Sequence, residues 1–340
     1  MHETRTKTTA ELSPDDVRAA CLADPVFRQR YEGWELLGRG SHATVVRTFS
    51  RDAAHEVALK IFVDLEPGAL ARIREEVRAA QSVATPFLVQ ARSLFDRGQI
   101  AWFEMELVDG PNLQQELDRL AAQRRRFAAG RANEIALAVA RCLWQVHRAG
   151  LVHRDVKPAN VLLPSSAHHA AKLTDFGIAR LMASVGPTPD GAITGTPRFA
   201  SPEALAGKIV GPAHDVFGLC VTLYAIFSGG RHPFNVLAGL SLSSLRRMHE
   251  HARPVPISRW TRRLDPALRR LLMDGLSADP LARPRIEEFV LRLEAMIGAS
   301  VHLPAAAPAG QATGDTPRHM DASSAPPGPA DRRSHTTRRS

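Results

Sequence analysis

Short apolar runs along residues 31–108 give the first indication of structure. They are rich in valine, leucine, isoleucine and phenylalanine, which is typical of β-strands. The runs occupy residues 34–37, 44–47, 57–62, 87–94 and 100–105. Between them, residues 67–83 have apolar side chains at helical spacing instead. The pattern predicts five strands and one helix in this part of the chain.

Helical spacing dominates beyond Gly110. In residues 133–149 the apolar side chains recur every three or four positions, which predicts a helix with Asn133 as its N-cap and Gly150 as its terminator. Residues 216–227 are the best candidate for a membrane span, but they are too short and predict a buried helix. The fold class is therefore expected to be α+β, with a small β-rich N-terminal lobe and a larger α-helical C-terminal lobe.

The composition changes at both ends of the chain. Residues 1–30 are polar at first and then predict one short helix at residues 14–28, with Ser13 as its N-cap. From residue 299 the chain is rich in Ala, Pro, Ser, Thr and Arg and has very few large apolar side chains. Such a segment buries too little surface to offset its ordering entropy. We expect an N-terminal extension at 1–30 and a disordered tail at 299–340.

The net charge does not indicate a nucleic-acid-binding protein. The formal charge of the 340-residue chain is +9, but the basic residues are spread along it. Local clusters occur at residues 124–126, 332–333 and 338–339, and no nucleic-acid-binding motif accompanies them. We therefore expect no specific nucleic-acid partner.

Cysteine usage and the N-terminus favour a reducing compartment. Cys21, Cys142 and Cys220 have neither the spacing of a metal site nor the even count of a disulfide framework. The first residues lack the apolar core of a signal peptide, and no apolar run reaches the length of a membrane span. These features predict a cytoplasmic protein with no membrane span, and they leave its oligomeric state open.

Two motifs carry the chemistry. Residues 153–160 read His-Arg-Asp-Val-Lys-Pro-Ala-Asn, and residues 175–177 read Asp-Phe-Gly. They place a proton acceptor, a cation and oxygen ligands for Mg²⁺ in one short stretch. Phosphoryl transfer from ATP to a hydroxyl depends on this combination, because it relies on positioning and charge neutralisation.

The wider pattern resembles the eukaryotic-type, or Hanks-type, serine/threonine protein kinase family, and its composition resembles bacterial members. Residues 38–43 are similar to the Gly-rich loop, with Ala43 in place of the third glycine. Residues 57–60 are similar to the strand with the phosphate-binding lysine, and residues 201–203 to the end of the activation segment. The resemblance covers residues 31–298 and implies a bilobal fold, with an N-lobe at 31–108 and a C-lobe at 109–298.

The resemblance implies a role for each polar residue. Lys60 would bind the α- and β-phosphates, Asp155 would accept or orient the acceptor proton, and Lys157 would neutralise the transferred group. Asn160 and Asp175 would be ligands of Mg²⁺, with Mn²⁺ as an alternative.

The partner of Lys60 is expected on the following helix, where two acidic residues are adjacent. Glu75 and Glu76 point about 100° apart on a helix, so only one of them can face Lys60. Pro86 stands where the family commonly has a His-Pro turn, and counting back from it, the resemblance implies Glu76.

ATP is the implied cofactor, and its adenine is expected between the lobes. Backbone groups of Glu106 and Val108 would bind its edge, with Met105 at the back of the pocket. The remaining expected contacts are Leu37, Val45, Ala58 and Leu162 as apolar side chains, and Gly38 and Gly40 as backbone over the phosphates. Each of the four apolar side chains is equally compatible with an ordinary core position.

Residues around the catalytic loop indicate the substrate class. The Lys-Pro pair at 157–158 and residues 195–203 favour proteins with Ser/Thr acceptors over small molecules. The family pattern further implies that Thr196 helps position the acceptor and that Glu203 pairs with Arg283. Asp215 would brace the catalytic loop, and Cys220 would be a packing residue. The alternatives are a small-molecule kinase and a nucleotide-binding scaffold without turnover.

Regulation is expected in the segment 178–194. Arg154 precedes Asp155 and has no obvious local partner, so a phosphate at Thr188 or Thr194 would complete a cationic pocket. Autophosphorylation would supply that phosphate. Asp190 is the competing partner for Arg154.

Overall fold

A computed structural model describes most of the folded region. The described residues are 12–40, 43–65, 68–166, 170–176, 197–234, 236, 241–251, 253–261 and 264–298. Residues 299–340 lie outside the described residues. The disordered tail therefore stays a prediction.

The described N-terminal part contains helices and an antiparallel sheet. Its elements are α1 (Pro14–Ala23), α2 (Pro25–Arg30), β1 (Tyr31–Arg39), β2 (Thr44–Ser50), β3 (His55–Val63), α3 (Ala69–Ser82), β4 (Ala91–Asp96) and β5 (Ile100–Met105). The strand order in the sheet is β1-β2-β3-β5-β4. Four predicted strands coincide with observed ones.

The predicted strand at residues 87–94 is only partly a strand, because pairing with β5 begins at Ala91. The residues that precede Ala91 form hydrogen bonds with the C-terminal part of the chain instead. The N–H of Val89 donates to the carbonyl of Leu173 at 2.9 Å, and the N–H of Leu173 donates to Phe87 at 2.7 Å. These hydrogen bonds fix the sheet to the region that carries the catalytic loop.

Both faces of β3 are buried. Val57, Leu59 and Ile61 join a cluster with side chains of α1 and α2. The alternate residues Ala58 and Phe62 join the main core, which includes side chains of α3. Because successive side chains of a strand point to opposite faces, the sheet lies between α1 and α2 on one side and α3 on the other.

The single helix predicted at residues 14–28 is wrong, because the chain forms two helices that meet at Asp24. Asp24 is extended, as expected for a residue before proline, and its side chain accepts the N–H of Phe27 at 3.0 Å as an N-cap. The predicted N-cap at Ser13 is confirmed, because its hydroxyl accepts the N–H of Asp16 at 3.1 Å. A capping residue followed by proline was the signal for the break.

Residues 14–30, set apart above as an extension, supply part of the core of the sheet. Phe27 is 2% exposed, and its ring lies 4.9 Å from Tyr31 and 5.2 Å from Trp102. The Tyr31 hydroxyl donates to the buried Glu104 carboxylate at 2.7 Å. Helices α1 and α2 therefore pack against the sheet that starts with β1, and the domain boundary at residue 31 stays a prediction.

Replacing Phe27 with alanine is expected to lower the free energy of unfolding by about 3–5 kcal/mol, because it opens a cavity between α2 and the sheet. Phe49→Ala is the matched control, since Phe49 is 40% exposed, and we expect a change within about 0.5 kcal/mol. Urea unfolding of both variants provides the measurement. Equal small effects would show that α1 and α2 do not belong to the cooperative core.

The described C-terminal part is mostly helical. Its longer elements are α4 (Leu113–Ala122), α5 (Ala129–Arg148), β6 (Val161–Leu162), β7 (Lys172–Leu173), α6 (Pro202–Leu205), α7 (Pro212–Ser228), α8 (Leu242–His251), α9 (Pro266–Gly275) and α10 (Ile286–Ile297). The predicted α+β organisation, with the sheet first and the helices after it, is confirmed. Within the described residues, no helix combines the length and apolarity that a membrane crossing requires.

Helix α5 begins one turn earlier than predicted, so the prediction of Asn133 as its N-cap is wrong. The cap position is Ala128, which makes no side-chain capping hydrogen bond. Ala132 is 3% exposed and extends the buried face formed by Ile135 and Val139, so tertiary packing decides where this helix begins. The predicted end is confirmed, because Gly150 adopts φ +75° just beyond the helix.

Helix α7 is the buried helix predicted at residues 216–227. Cys220 on this helix is fully buried and faces Gly275 at the end of α9. A Cβ at position 275 would lie 2.2 Å from the Cys220 sulfur atom, so a side chain there would collide with it. The expectation that Cys220 is a packing residue is confirmed.

Candidate active site

Lys60 lies in the middle of the sheet, on the face opposite to α1 and α2. Cross-strand pairing puts Gly38, Val45, Lys60 and Phe103 in one row across β1, β2, β3 and β5. The Lys60 ammonium lies over the Phe103 ring at 5.7 Å from its centroid. Only 12% of the Lys60 side chain is exposed, so its charge requires nearby anions.

Two carboxylates surround that ammonium. Lys60 Nζ donates to Glu76 Oε1, and it also donates to Asp175 Oδ1 at 2.9 Å. Glu76 is buried on α3, whereas its neighbour Glu75 is exposed. The prediction that Glu76 is the partner of Lys60 is therefore confirmed.

The three charges shift one another's pKa. Burial disfavours the ammonium, but the carboxylates of Asp175 and Glu76 outweigh it and raise the pKa of Lys60. Burial raises the pKa of Glu76 despite the nearby Lys60. Burial also opposes ionisation of Asp175, and the charge of Lys60 outweighs it and lowers the pKa of that carboxyl. Lys60 and Asp175 therefore form the firmly charged pair.

Asp155 lies at the centre of the catalytic loop. Lys157 Nζ donates to Asp155 Oδ2 at 2.9 Å. Asn160 Nδ2 donates to the same oxygen at 2.7 Å and to the Asp155 carbonyl at 2.9 Å. The short 3₁₀ helix Pro158–Asn160 makes this possible by turning the chain back on itself. The three residues predicted to act together are in contact.

Asp215 on α7 binds the backbone of the catalytic loop. Its carboxylate accepts the backbone N–H groups of His153 and Arg154, each at 2.7 Å. His147 Nε2 donates to it at 2.8 Å. Burial opposes ionisation of Asp215, but the contacts with His147 dominate and lower its pKa. The predicted bracing role of Asp215 is confirmed.

Arg154 has a left-handed backbone, with φ +71°. This conformation is uncommon for a residue with a side chain and persists only where its surroundings enforce it. Its N–H is bound by Asp215, and its carbonyl accepts a hydrogen bond from His214 Nε2 at 3.2 Å. Both sides of the strained residue are therefore fixed next to Asp155.

The candidate metal ligands lie close together. The N–H of Thr174 donates to the Asn160 carbonyl at 2.9 Å, which places Asp175 beside the catalytic loop. Because Asn160 uses Nδ2 to bind Asp155, its Oδ1 is the amide atom that faces away and suits a cation. Among the described residues, no group of three or more His, Cys, Asp or Glu side chains is arranged to hold a metal ion. One carboxylate and one amide oxygen fit a hard cation that completes its coordination with phosphate and water oxygens.

The predicted nucleotide-binding side chains divide into two groups. Ala58 and Met105 pair across β3 and β5 and are buried, and Val45 and Leu162 pack at the edge of the same core. Leu37, by contrast, is 43% exposed on β1. An exposed leucine in that position is available for an apolar ligand, whereas the other four also serve as core residues.

The backbone N–H and the carboxylate of Glu106 both bind other residues of the protein. Its N–H donates to the Gln90 carbonyl at 2.9 Å, and its carboxylate accepts from Lys172 Nζ at 2.7 Å. Lys172 is 8% exposed and was missed in the sequence, where a lone lysine in an apolar run gives no sign of its partner. The expected nucleotide contact at Glu106 is thus limited to its carbonyl.

Glu203 and Arg283 form a two-pronged ion pair, as predicted. Arg283 donates to both carboxylate oxygens of Glu203, at 2.6 and 2.8 Å. Burial opposes ionisation, but the guanidinium dominates and lowers the pKa of Glu203. This pair fixes the start of α6 to the loop that precedes α10.

Several expectations fall on residues that the structure does not describe. They concern Gly177, Thr188, Asp190, Thr194 and Thr196. Among the described residues, the buried Nε of Arg154 has no hydrogen-bond partner. Loop phosphorylation and the role of Thr196 remain predictions.

Comparison with known proteins identifies relatives of this arrangement. A family model described as the protein kinase domain matches residues 31–292. The serine/threonine-protein kinases PkaB and PkaA of Streptomyces coelicolor are 33% and 34% identical over 282 and 266 residues, or 79% and 73% of this chain. The serine/threonine-protein kinase PknB of Mycolicibacterium smegmatis is 32% identical over 263 residues, or 74% of this chain.

The relatives are longer proteins. The matched regions span 63% of PkaB, 48% of PkaA and 40% of PknB. The similarity therefore concerns only part of the length of each relative.

Proposed function

The chain belongs to the protein kinase family, and we propose that it is a serine/threonine protein kinase that transfers the γ-phosphoryl group of ATP to protein hydroxyls. One observation carries the proposal: hydrogen bonds bring Lys60, Asp155, Asn160 and Asp175 together, which is the combination of charges and oxygen atoms that phosphoryl transfer uses. A non-catalytic scaffold would have no need to keep all four.

Each residue has a task that its environment supports. Lys60, held by Glu76, binds phosphate oxygens of ATP as a fixed cation. Asp155 accepts the hydrogen bond of the acceptor hydroxyl and orients it for in-line attack. Lys157, 2.9 Å from Asp155, offsets negative charge on the transferred group.

Asn160 and Asp175 would hold the divalent cation, which we propose is Mg²⁺ with Mn²⁺ as an alternative. When bound, the cation neutralises phosphate charge and aligns the phosphates. The two oxygen donors suit a small hard cation that retains water, as Mg²⁺ does.

A protein substrate is favoured over a small molecule by the segment that follows the described gap. Residues 197–203 are connected to the catalytic loop through His214 and to the helical core through Arg283. A fixed segment that is connected to the catalytic loop provides a surface for a polypeptide, which a small acceptor does not require. Autophosphorylation, the absence of a specific nucleic-acid partner and a cytoplasmic location stay predictions.

Acceptor identity tests this proposal. Purified protein is incubated with ATP, Mg²⁺ and a generic basic protein, and phosphorylated residues are located by mass spectrometry. We expect phosphoserine and phosphothreonine that depend on the divalent cation and disappear with EDTA. Phosphotyrosine alone, or transfer only to metabolites, would contradict it.

A further inference from the structure

Three imidazoles donate hydrogen bonds to backbone carbonyls, two of them in the segment 198–201 and one in the catalytic loop. His232 Nε2 binds the Arg198 carbonyl at 2.8 Å, and His249 Nδ1 binds the Ala200 carbonyl at 3.0 Å. His214 Nε2 binds the Arg154 carbonyl in the catalytic loop at 3.2 Å. Sequence reasoning missed all three, because histidines at scattered positions give no sign of a common target.

The hydrogen bonds define the tautomers. A carbonyl oxygen only accepts, so Nε2 of His232 carries a proton, and its Nδ1 accepts the N–H of Phe234 at 3.2 Å. His249 likewise carries its proton on Nδ1. Burial lowers the pKa of His232 to about 3 and that of His249 to about 4, so both are neutral donors near pH 7.

The two donors are rigidly packed. The rings of His232 and His249 stack at 5.9 Å with an interplanar angle of 11°. The Phe234 ring lies 4.6 Å from His249, and the carbonyl of Pro233 accepts the N–H of Val255 at 2.7 Å. Neither imidazole can turn without disturbing this aromatic group.

The bound segment borders the catalytic loop. Ser201 Oγ and His214 Nδ1 are 2.8 Å apart, and the other nitrogen of His214 binds Arg154, the residue before Asp155. Residues 198–201 are thus connected to the catalytic loop by one imidazole, and to α8 and the loop after α7 by two more. A shift of these residues would therefore disturb the contacts next to the catalytic loop.

We propose that His232 and His249 are positioning residues for the protein substrate, because they fix the carbonyls of Arg198 and Ala200 in the segment that His214 connects to the residue before Asp155. The inference rests on the proposed function and deepens it. It predicts that the two histidines affect use of the protein acceptor and leave use of ATP unchanged, since Lys60 and Asp175 lie on other elements.

Amide substitutions distinguish hydrogen bonding from packing. In His249→Asn the side-chain N–H takes the place of Nδ1, and in His232→Gln it takes the place of Nε2. The swapped variants His249→Gln and His232→Asn carry the same group at the wrong position. The variants His249→Phe and His232→Phe keep the ring and remove the donor.

The measurement is the KM for a peptide acceptor and for ATP in each purified variant. We expect the phenylalanine and swapped variants to raise the peptide KM by about 10-fold, the effect of one lost hydrogen bond, and to leave the ATP KM within about 2-fold. The geometrically matched variants His249→Asn and His232→Gln should stay within about 3-fold of the wild type.

Three outcomes would overturn the inference. An unchanged peptide KM in all variants would remove the positioning role, and an equal rise in matched and swapped variants would reduce it to packing. Parallel rises for peptide and ATP would show a general loss of structure. If a phenylalanine variant does not fold, the swapped variant at the same position replaces it. A wild-type protein that phosphorylates no acceptor would instead contradict the proposed function itself.

Discussion

Asp155→Asn is expected to lower kcat for phosphoryl transfer by at least about 100-fold, because the amide cannot accept the acceptor proton. Asparagine keeps the size of the side chain and an oxygen that can still accept from Lys157 and Asn160, so the loop should remain in place. The ATP dissociation constant should therefore stay within about 3-fold of the wild-type value. Steady-state kinetics measures kcat, and nucleotide titration measures the ATP dissociation constant.

The control for this variant is Asp118→Asn. Asp118 is exposed on α4, where it accepts a hydrogen bond from Gln114. Its replacement should leave kcat and the ATP dissociation constant unchanged. If Asp155→Asn retained more than a tenth of wild-type kcat, the role assigned to this carboxylate would be wrong.

Lys60→Met is expected to abolish measurable transfer and also to destabilise the fold. The change removes the cation that binds phosphate, and it leaves Glu76 and Asp175 without their partner. Removing one member of a buried ion pair typically costs about 3–5 kcal/mol. Activity and urea unfolding of the variant measure the two effects.

The destabilisation should depend on pH in a defined direction. Burial already raises the pKa of Glu76, and loss of Lys60 raises it further, so the folded variant favours the protonated carboxyl. A carboxyl whose pKa is higher in the folded state contributes stability that is fully present below its unfolded pKa and is lost progressively as the pH rises from that value through its folded pKa. The loss of unfolding free energy in Lys60→Met, relative to the wild type, should therefore be larger at pH 7.5 than at pH 5.

Glu75→Gln is the matched control for this site, because Glu75 precedes Glu76 and is exposed. We expect wild-type activity and stability from Glu75→Gln. Glu76→Gln should lower activity, because it weakens the interaction that positions the Lys60 ammonium. Equal effects of the two substitutions would contradict the assignment of Glu76 as the partner.

Local sequence patterns predicted what depends on short-range geometry. Adjacent residues on a helix point in different directions, so only one of Glu75 and Glu76 could face Lys60. The position of Pro86 favoured Glu76. The structure confirms this choice. The motif at residues 153–160 indicated that Asp155, Lys157 and Asn160 serve one reaction, and the structure shows that the three are in contact. Residues this close in a turn have few alternative arrangements.

Features that depend on distant contacts were missed. The prediction of Asn133 as an N-cap failed because burial of Ala132 extends α5, which no local signal indicates. The interpretation of residues 1–30 as an extension did not foresee that α1 and α2 pack on the sheet, although β3 is apolar on both faces. That two-sided pattern implies a cover on each side of the sheet, and α1 and α2 provide one of them.

Transfer of the terminal phosphate of ATP to protein tests the central claim most directly. Wild-type protein and Asp155→Asn are incubated in parallel with γ-³²P-labelled ATP, Mg²⁺ and a generic basic protein, and the acid-stable label on protein is counted. The account predicts label on serine and threonine with the wild type and background label with the variant. Equal labelling by both proteins, or no labelling by the wild type, would contradict it.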